Sequence, residues 1–368
     1  MANKNFFFAG GGTGGHIYPA IAVAEQILKL QPAAKIRFFC STRNIDTQIL
    51  AKTSFEYTTL PAKGFSLSPG HLLGFCTSFL KSYKIAGQAL SENKDTVVIG
   101  VGGFVAAPVC LAAHRKKIPI ALLNVDIVPG RANKLIARWA DQIFLQFEET
   151  RQYFAGYSEK VKVVGCPLRS GFDSPQSQRA IEQLGFDKNK KILLITGASS
   201  GAENINTALC SLLKNLEAFA GDWQIVHLTG TANYEKVKTG YAGAKITHKV
   251  LGYFDDMPDL LSAADLVVGR SGAVTTAEYA AAAVPSICIP YPYHKDRHQY
   301  IHARKLADAG AAVIVDDLPD GKETADRLWE KLQDLMSNQE KRRQMAESCK
   351  AIAKLDARYK IAQKLLQN

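Results

Sequence analysis

The sequence lacks the cysteine patterns of a metal-binding or disulfide-rich protein. Its 368 residues include seven cysteines that lie far apart, and no two of them form a C-x-x-C pair. An odd, dispersed set of cysteines is typical of reduced thiols in a cytosolic protein and argues against a zinc site. The chain also has no D-x-D triplet and no histidine–carboxylate cluster at metal-ligand spacing. We therefore expect a functional site without a metal ion.

Long apolar runs are also scarce. The longest stretch without a charged residue or a histidine, TVVIGVGGFVAAPVCLAA, covers residues 96–113. A membrane-spanning helix of that length is conceivable. Three clustered glycines followed by Pro108 instead favour a buried strand, a glycine turn and the start of a helix. The first residues, MANKNFFFAGGG, contain an apolar run that is too short for a secretory signal peptide.

The charge balance is basic. The 45 Lys and Arg residues exceed the 34 Asp and Glu residues and give a formal net charge of +11. Such a balance favours anionic partners, namely nucleic acid, acidic lipid or a phosphorylated substrate. Because the only tight basic clusters are HRKK at 114–117 and KRR at 341–343, we expect no nucleic-acid partner.

Short apolar runs alternate with helical patterns along the whole chain. In the first half, NFFFA, KIRFFC, DTVVIGV and PIALLNV are typical of buried strands. The second half repeats the scheme with KKILLIT, WQIVHLTG, KVLGY, ADLVVG, PSICIPY and AAVIV. This alternation predicts an α/β protein with two doubly wound, Rossmann-like domains that face each other across a cleft.

The domain boundary is predicted in residues 158–180, which are rich in Pro, Ser and Gly. We expect an N-terminal domain over 1–163 and a C-terminal domain over 164–344. A last helix at about 345–368 is expected to pack back on the first domain. In open parallel sheets, ligands bind beyond the carboxyl ends of the strands, where both glycine loops of this sequence lie.

The stretch GGGTGGHIYPA at 10–20 directly follows the first predicted strand. It satisfies the G-x-G-x-x-G pattern, in which bare backbone lets a phosphate approach closely. The second strand is followed by STRN, without the carboxylate of a dinucleotide site, although an NADP-type site that uses Arg43 stays open. His16 is a candidate general base, because imidazole titrates near working pH. The alternative is a histidine at a helix start that only forms hydrogen bonds.

A second polar region, GRSGAVTTAEYAAAAVPSICIPYPYHKDRHQ, covers residues 269–299. A strand ends and the chain turns into a helix whose first N–H groups can bind a diphosphate. The residues at this turn are Ser271, Gly272, Ala273 and Val274. Glu278 lies one to two turns along and can chelate a ribose diol, with an exposed helix glutamate as the equally supported alternative. The segment HKDRHQ is a polar loop of the kind that more often serves function than structure.

Seven segments carry a resemblance to a known family. They are GGTGGHIYPA, GVGGFVAAP, NVDIVPGRANK, GCPLR, TGASSGA, DDMPDLLSAADLVVGRSGAVTTAEYAAA and HKDRHQY. In order and spacing they resemble the MurG family, the UDP-N-acetylglucosamine–N-acetylmuramyl-(pentapeptide) pyrophosphoryl-undecaprenol N-acetylglucosamine transferases. The resemblance covers essentially the whole chain. It implies an inverting, metal-independent glycosyltransferase of the GT-B fold. Such an enzyme transfers GlcNAc from UDP-GlcNAc to the C4 hydroxyl of MurNAc in lipid I, forming lipid II for peptidoglycan.

The resemblance also implies a set of substrate-binding residues, with no cofactor besides the donor. Near the donor and acceptor phosphates it places Thr13, Gly14 and Gly15. Around the donor nucleotide it places Arg169, Ser199, Phe254 (by its backbone, at the uracil), Ala273, Val274, Thr275 and Glu278. At the positions that contact the sugar it places Asp126, His298 and Gln299.

The chain departs from the family pattern at two places. Asn124, Val125 and Asp126 stand where the family usually has Glu-Gln-Asn, and His298 stands where it has glutamine. An aspartate accepts a hydrogen bond from a sugar hydroxyl but cannot donate one, and it repels a diphosphate. These changes keep open a related GT-B enzyme with another acceptor or a UDP-GlcNAc epimerase. A nucleotide-binding membrane protein without catalysis is disfavoured by the presence of His16, Arg169 and Glu278.

Residues 70–90, GHLLGFCTSFLKSYKIAGQAL, predict a helix with an apolar face and two lysines beside it. A helix that faces the core of the first domain is the favoured interpretation. We also hypothesise that part of it is exposed and docks on an anionic membrane surface. The family resemblance implies a peripheral protein at the cytoplasmic face of the bacterial inner membrane. It also implies cell-wall synthesis proteins as candidate partners.

Overall fold

The computed structural model describes residues 4–64, 69–92, 95–197, 201–318 and 321–367. The chain divides into two compact units. Met1–Arg169 and Leu355–Asn368 form one unit, and Ser170–Lys354 form the other. The sequence placed these divisions at 163/164 and at about 345, so each lies a few residues later in the structure.

The first unit is built on a seven-stranded parallel sheet. Its strands are β1 (Asn5–Gly10), β2 (Lys35–Ser41), β3 (Glu56–Leu60), β4 (Thr96–Gly102), β5 (Ile120–Asn124), β6 (Gln142–Leu145) and β7 (Val161–Val163). Its helices before the boundary are α1 (Gly14–Leu30), α2 (Asn44–Leu50), α3 (Pro69–Ser91), α4 (Gly103–Arg115) and α5 (Arg131–Ile136). The strand order is β3-β2-β1-β4-β5-β6-β7.

The central strands of this sheet are apolar because helices cover both faces. Every residue of β1 and β4 is buried. On one face, Phe7 and Phe39 pack edge to face with ring centroids 5.8 Å apart. On the other face, Phe8 stacks on Phe38 with centroids 5.1 Å apart. The strand order reverses between β1 and β4, which places a ligand crevice beside the loops that follow these two strands.

The uncharged stretch 96–113 forms β4 and most of α4, as the glycine cluster predicted. None of the described helices combines the length and the apolar character needed to cross a bilayer. Three strands were not singled out from the sequence, namely β3, β6 and β7. Strand β3 lies at the sheet edge and is mostly exposed, so it has no apolar run, and β7 has only three residues.

The second unit repeats the architecture with a six-stranded parallel sheet in the order β10-β9-β8-β11-β12-β13. Its strands are β8 (Lys191–Thr196), β9 (Trp223–Leu228), β10 (His248–Leu251), β11 (Leu266–Gly269), β12 (Ser286–Cys288) and β13 (Ala312–Ile314). Its helices are α6 (Ser177–Leu184), α7 (Glu203–Ser211), α8 (Leu213–Leu216), α9 (Tyr234–Gly240), α10 (Met257–Ala263), α11 (Ala273–Ala281), α12 (His298–Asp308), α13 (Gly321–Ser337) and α14 (Gln339–Ile352). Here the order reverses between β8 and β11.

The last helix, α15 (Ala357–Leu366), packs on α1 of the first unit. The buried Arg358 joins them, because its Nη1 donates to the carbonyl of Leu168 (3.0 Å) and its Nε to Oε1 of Gln26 (3.4 Å). The same arginine keeps the segment before Ser170 in the first unit. Helix α14 instead packs on α11 in the second unit, which is why the second division falls after 345.

Candidate active site

The glycine loop between β1 and α1 is held by a buried carboxylate. The backbone N–H of Gly12 donates to both oxygens of Asp46, at 2.9 and 2.8 Å. The backbone N–H and the hydroxyl of Ser41 also donate to Asp46. A Cβ at Gly11 would collide with this carboxylate. At least one glycine of this loop is therefore required by the protein's own packing rather than by a ligand.

Asp46 of α2 and Arg43, directly before that helix, hold this loop in a way that the sequence did not indicate. The sequence has no carboxylate directly after β2. In the structure, Asp46 of α2, five residues beyond Ser41, places a carboxylate beside the loop. Its oxygens are used by the loop backbone. The Nη1 of Arg43 donates to the carbonyl of Gly12 (3.0 Å), and its guanidinium lies over the ring of Phe104. These contacts give Arg43 a role in holding the loop.

His16 lies in the first turn of α1, partly exposed, beside the exposed Thr13. The hydroxyl oxygen of Thr13 is 3.3 Å from Nδ1 of the imidazole. The other edge of the ring lies against Gly102, the last residue of β4. Gly14 is buried and Gly15 is partly exposed at the same helix start. The loop after β1, which carries Thr13, Gly15 and His16, therefore meets the end of β4 at the switch point of the sheet.

Asp126, predicted to contact the sugar, follows β5 and is partly exposed. Its backbone carbonyl accepts a hydrogen bond from Nδ2 of Asn124 at 2.6 Å. Asn124 is fully buried, and its Oδ1 accepts from Nδ2 of Asn133 at 2.8 Å. Asn124 therefore acts within the protein interior, while Asp126 lies at the surface of the loop.

Arg169 ends the first unit and is partly buried. Its guanidinium lies 4.4 Å from the ring centroid of Tyr18, two residues after His16 in α1. Its carbonyl faces Nη1 of Arg358 at 3.5 Å. Arg169 is thus positioned from α1 and α15, next to the turn that carries His16.

In the second unit, the loop after β11 begins helix α11 at Ala273. Ser271 is fully buried, and its hydroxyl donates to the carbonyl of Gln299 at 2.9 Å. The hydroxyl therefore joins this loop to α12, whereas the first turn of α11 offers its N–H groups. Gly272 and Thr275 are partly exposed, while Ala273 and Val274 are buried. Glu278 is partly exposed on α11.

The HKDRHQ segment leads into α12, which begins at His298. The Nδ1 of His298 lies 2.7 Å from Oδ1 of Asp296. Burial would raise the pKa of Asp296, but the hydrogen bond and the charge of His298 together hold this pKa below its usual value. The side chain of Gln299 accepts from the backbone N–H of Tyr291 at 3.0 Å. His298 and Gln299 are both partly exposed.

Arg270 precedes the turn and is buried rather than directed to solvent. Its Nη1 lies 2.8 Å from Oδ2 of the buried Asp317 and donates to the carbonyl of Ile289 at 3.0 Å. The other oxygen of Asp317 accepts from Nδ2 of Asn204 (2.9 Å). Arg270 therefore links the chain after β11, β12 and β13 to α7.

The remaining predicted residues are less informative. Phe254 is buried in the loop after β10, at the carboxyl edge of the second sheet. Ser199 lies outside the described residues. Within the described ranges, no group of three or more His, Cys, Asp or Glu side chains could hold a metal ion.

Two protein-family models match this chain. The model of the glycosyltransferase family 28 N-terminal domain matches residues 6–145, and that of the family 28 C-terminal domain matches residues 192–365. A UDP-N-acetylglucosamine–N-acetylmuramyl-(pentapeptide) pyrophosphoryl-undecaprenol N-acetylglucosamine transferase from Thermoanaerobacter sp. (strain X514) is 36% identical over 97% of each chain.

Solved structures show the same fold. The crystal structure of MurG from Acinetobacter baumannii matches 99% of this chain and 100% of its own, with a TM-score of 0.73 and 27% identity. The UDP-GlcNAc 2-epimerase from Neisseria meningitidis bound to UDP-GlcNAc has a TM-score of 0.70 but only 16% identity, over 99% of this chain and 100% of its own. That second likeness shows a shared fold alone.

Two Rossmann-like domains, each built on a parallel sheet, and the matching family models define a glycosyltransferase of the GT-B fold. This confirms the fold class expected from the sequence. The chain belongs to glycosyltransferase family 28 and, within it, to the MurG family of N-acetylglucosamine transferases.

Proposed function

We propose that the protein transfers GlcNAc from UDP-GlcNAc to the C4 hydroxyl of MurNAc in lipid I and so forms lipid II. The observation that carries the proposal is the 36% identity over 97% of both chains to a transferase of that name. The arrangement of His16 and Thr13 at the switch point of the first sheet supports it.

In the proposed reaction, His16 takes the proton of the C4 hydroxyl as the oxygen attacks the anomeric carbon of GlcNAc. Attack occurs on the face opposite to UDP, so the configuration at that carbon inverts. The bond between the anomeric carbon and the diphosphate oxygen breaks, and UDP leaves with the electron pair. Thr13, Gly14 and Gly15 would contact the phosphates, and Asp126 would accept from a sugar hydroxyl.

On the donor side, the negative charge that develops on UDP would be stabilised without a metal ion. The first N–H groups of α11, at Ala273, Val274 and Thr275, supply donors and the positive end of the helix dipole. Glu278 would accept from the ribose hydroxyls. Arg169, Ser199 and the backbone of Phe254 would hold the rest of the nucleotide, with His298 and Gln299 at the sugar.

The experiment that tests this function measures UDP release from UDP-GlcNAc by the purified protein in EDTA, with and without a soluble lipid I analogue. We expect release only with the analogue. His16→Ala should abolish release while UDP binding persists, and His114→Ala, at an exposed histidine of α4, should leave both unchanged. Release without acceptor would indicate hydrolysis or epimerase-like chemistry. UDP binding without release would indicate another acceptor, in line with the changed residues at Asn124 and Asp126.

We further propose that the protein is peripheral at the cytoplasmic face of the inner membrane and docks through α3. The first half of this helix exposes Leu73 (69% exposed) and Leu80 (58%), with Leu72 beside them. Lys81 and Lys84 are exposed on the following turn. The second half instead packs into the core through Ala86 and Leu90. Apolar side chains bordered by lysines suit an anionic bilayer surface. Cell-wall synthesis proteins stay predicted partners.

A further inference from the structure

Asn133 of α5 carries a buried acceptor without a partner. The residue is only 6% exposed, and its Oδ1 has no hydrogen-bond partner among the described residues. Leaving such an acceptor unpaired and away from water destabilises the folded protein. A group of this kind, placed next to a functional site, points to a hydrogen bond that forms during function.

The orientation of this amide is determined by its neighbours. The backbone carbonyl of Asp126 can only accept, so Asn124 must direct its Nδ2 to it and its Oδ1 to Asn133. Asn133 must therefore direct its own Nδ2 to Asn124, which turns its Oδ1 the other way. An amide at position 124 can do this because it both donates and accepts.

The unpaired oxygen of Asn133 and the ring of His16 both lie next to Gly102. Gly102 has a φ of +108°, and a Cβ built on it would lie 2.9 Å from both Cδ2 and Nε2 of His16. The same Cβ would lie 3.4 Å from Oδ1 of Asn133. Nε2 and this oxygen therefore share one side of Gly102. Nδ1, in contrast, lies 3.3 Å from the exposed hydroxyl of Thr13.

We propose that Asn133 is a positioning residue: a small shift of the side chains brings its unpaired Oδ1 to Nε2–H of His16, and the hydrogen bond that it then accepts makes Nδ1 the basic nitrogen. The inference rests on the proposed function in one respect, namely that His16 removes the proton. The proton of the attacking hydroxyl passes to Nδ1, and Nε2 keeps its own proton throughout. The oxygen of Asn133 then stabilises the imidazolium, in the way that an acceptor behind a catalytic histidine selects its tautomer.

The tautomer can be measured without any substrate. NMR spectra of the protein labelled with ¹⁵N-histidine are recorded at a pH high enough that the imidazole is neutral. The His16→Gln variant identifies the signals of His16. We expect the Nε2–H tautomer in the wild type and a mixture of tautomers in Asn133→Ala. Asn133→Asp keeps an acceptor for His16 but loses the donor to Asn124, so it should restore the Nε2–H tautomer while lowering the stability of the fold. Ser82→Ala removes another buried, unpaired oxygen of the same unit and should change nothing.

Kinetics provide the second measurement. Asn133→Ala should lower kcat by about 10- to 100-fold while KM for UDP-GlcNAc stays the same, because only the proton transfer is affected. Asn133→Asp should recover a large part of kcat. A wild-type Nδ1–H tautomer would overturn the inference, and so would an unchanged tautomer in folded Asn133→Ala. A wild type that shows the Nε2–H tautomer but no acceptor-dependent UDP release would instead overturn the proposed function.

Discussion

Asp46 holds the backbone of Gly12 by accepting its N–H with both carboxylate oxygens, at 2.9 and 2.8 Å. The two residues are 34 positions apart in sequence, and the contact joins α2 to the loop that carries Thr13 and His16. The loop therefore takes its shape from the protein before any substrate binds. This preorganisation is what a site needs to act on a transition state rather than to adapt to it.

The first prediction concerns this contact. Asp46→Asn leaves one acceptor oxygen and introduces an NH₂ group that faces backbone N–H donors. We expect the free energy of unfolding to fall by about 1–3 kcal/mol and the loop to lose its position. The free energy of unfolding from denaturant titration should decrease, and so should kcat/KM for acceptor-dependent UDP release. Glu56→Gln, at an exposed carboxylate of β3, is the control and should alter neither. Normal activity in Asp46→Asn would contradict a positioning role.

The second prediction concerns nucleotide recognition by Glu278. If its carboxylate binds the ribose diol, Glu278→Ala should raise KM for UDP-GlcNAc by about 10- to 100-fold, the equivalent of a hydrogen bond to a charged group. The wild type should also bind UDP more tightly than 2′-deoxy-UDP, and the variant should lose that preference. Competition between the two nucleotides measures it. Glu330→Ala, at an exposed glutamate of α13, should keep the preference. An unchanged preference in Glu278→Ala would show that Glu278 does not bind the ribose diol.

The third prediction is a pH dependence of stability that arises from His227 of β9. Its Nδ1 faces the hydroxyl of Tyr241 at 3.0 Å, and its Nε2 faces Oδ1 of Asn206 at 3.0 Å. Burial lowers the pKa of His227 to about 3. The unfolded chain protonates this histidine below about pH 6.5, whereas the folded protein does not, so the stabilisation is complete above that pH. It is lost progressively as the pH falls from about 6.5 towards 3.

This linkage can be isolated by substitution. Between pH 7 and pH 5, the wild type should lose about 2 kcal/mol of unfolding free energy more than His227→Gln, which cannot take up the proton. Denaturant titrations at the two pH values measure the difference. His114→Gln, on the surface of α4, is the matched control and should behave like the wild type. Equal pH dependence in His227→Gln and the wild type would contradict the buried neutral histidine.

The fourth prediction concerns membrane docking through α3. Replacing both Leu73 and Leu80 with Ser removes two exposed apolar side chains, each of which contributes about 1.5–3 kcal/mol when fully buried. Binding to phosphatidylglycerol vesicles should weaken by at least about tenfold. Leu30→Ser, at a leucine that is 40% exposed at the end of α1, should leave binding unchanged. A sedimentation assay that detects no difference between the double variant and the wild type would exclude α3 as the docking surface.

The main architecture could be predicted from residue pattern alone. Buried parallel strands such as β1, β4 and β8 are continuous apolar runs because both faces are covered, so they are visible in the sequence. The exposed edge strand β3 and the short β7 carry no such run, which is why they were missed. The division of the chain depends on a distant contact, that of Arg358 with Leu168, which no local pattern encodes.

The candidate site was only partly predictable. Local motifs indicated Thr13, His16 and the first turn of α11, because a glycine turn into a helix has a characteristic spacing. The motif did not indicate that the hydroxyl of Ser271 binds Gln299 or that Arg270 pairs with Asp317. Both residues belong to motif segments, yet their side chains are directed into the protein.

The sequence by itself determined the class of protein, the two parallel sheets and the loops at their carboxyl ends. These depend on apolar periodicity and turn residues, which act over a few neighbouring positions. Only the tertiary structure decided which side chains are left to meet a substrate. Asp46 of α2 reaches the loop of His16, and Asn133 of α5 reaches Gly102, which lies against the ring of His16. A hydrogen bond between residues far apart in the chain depends on packing that places them together, and residue pattern contains no measure of that distance.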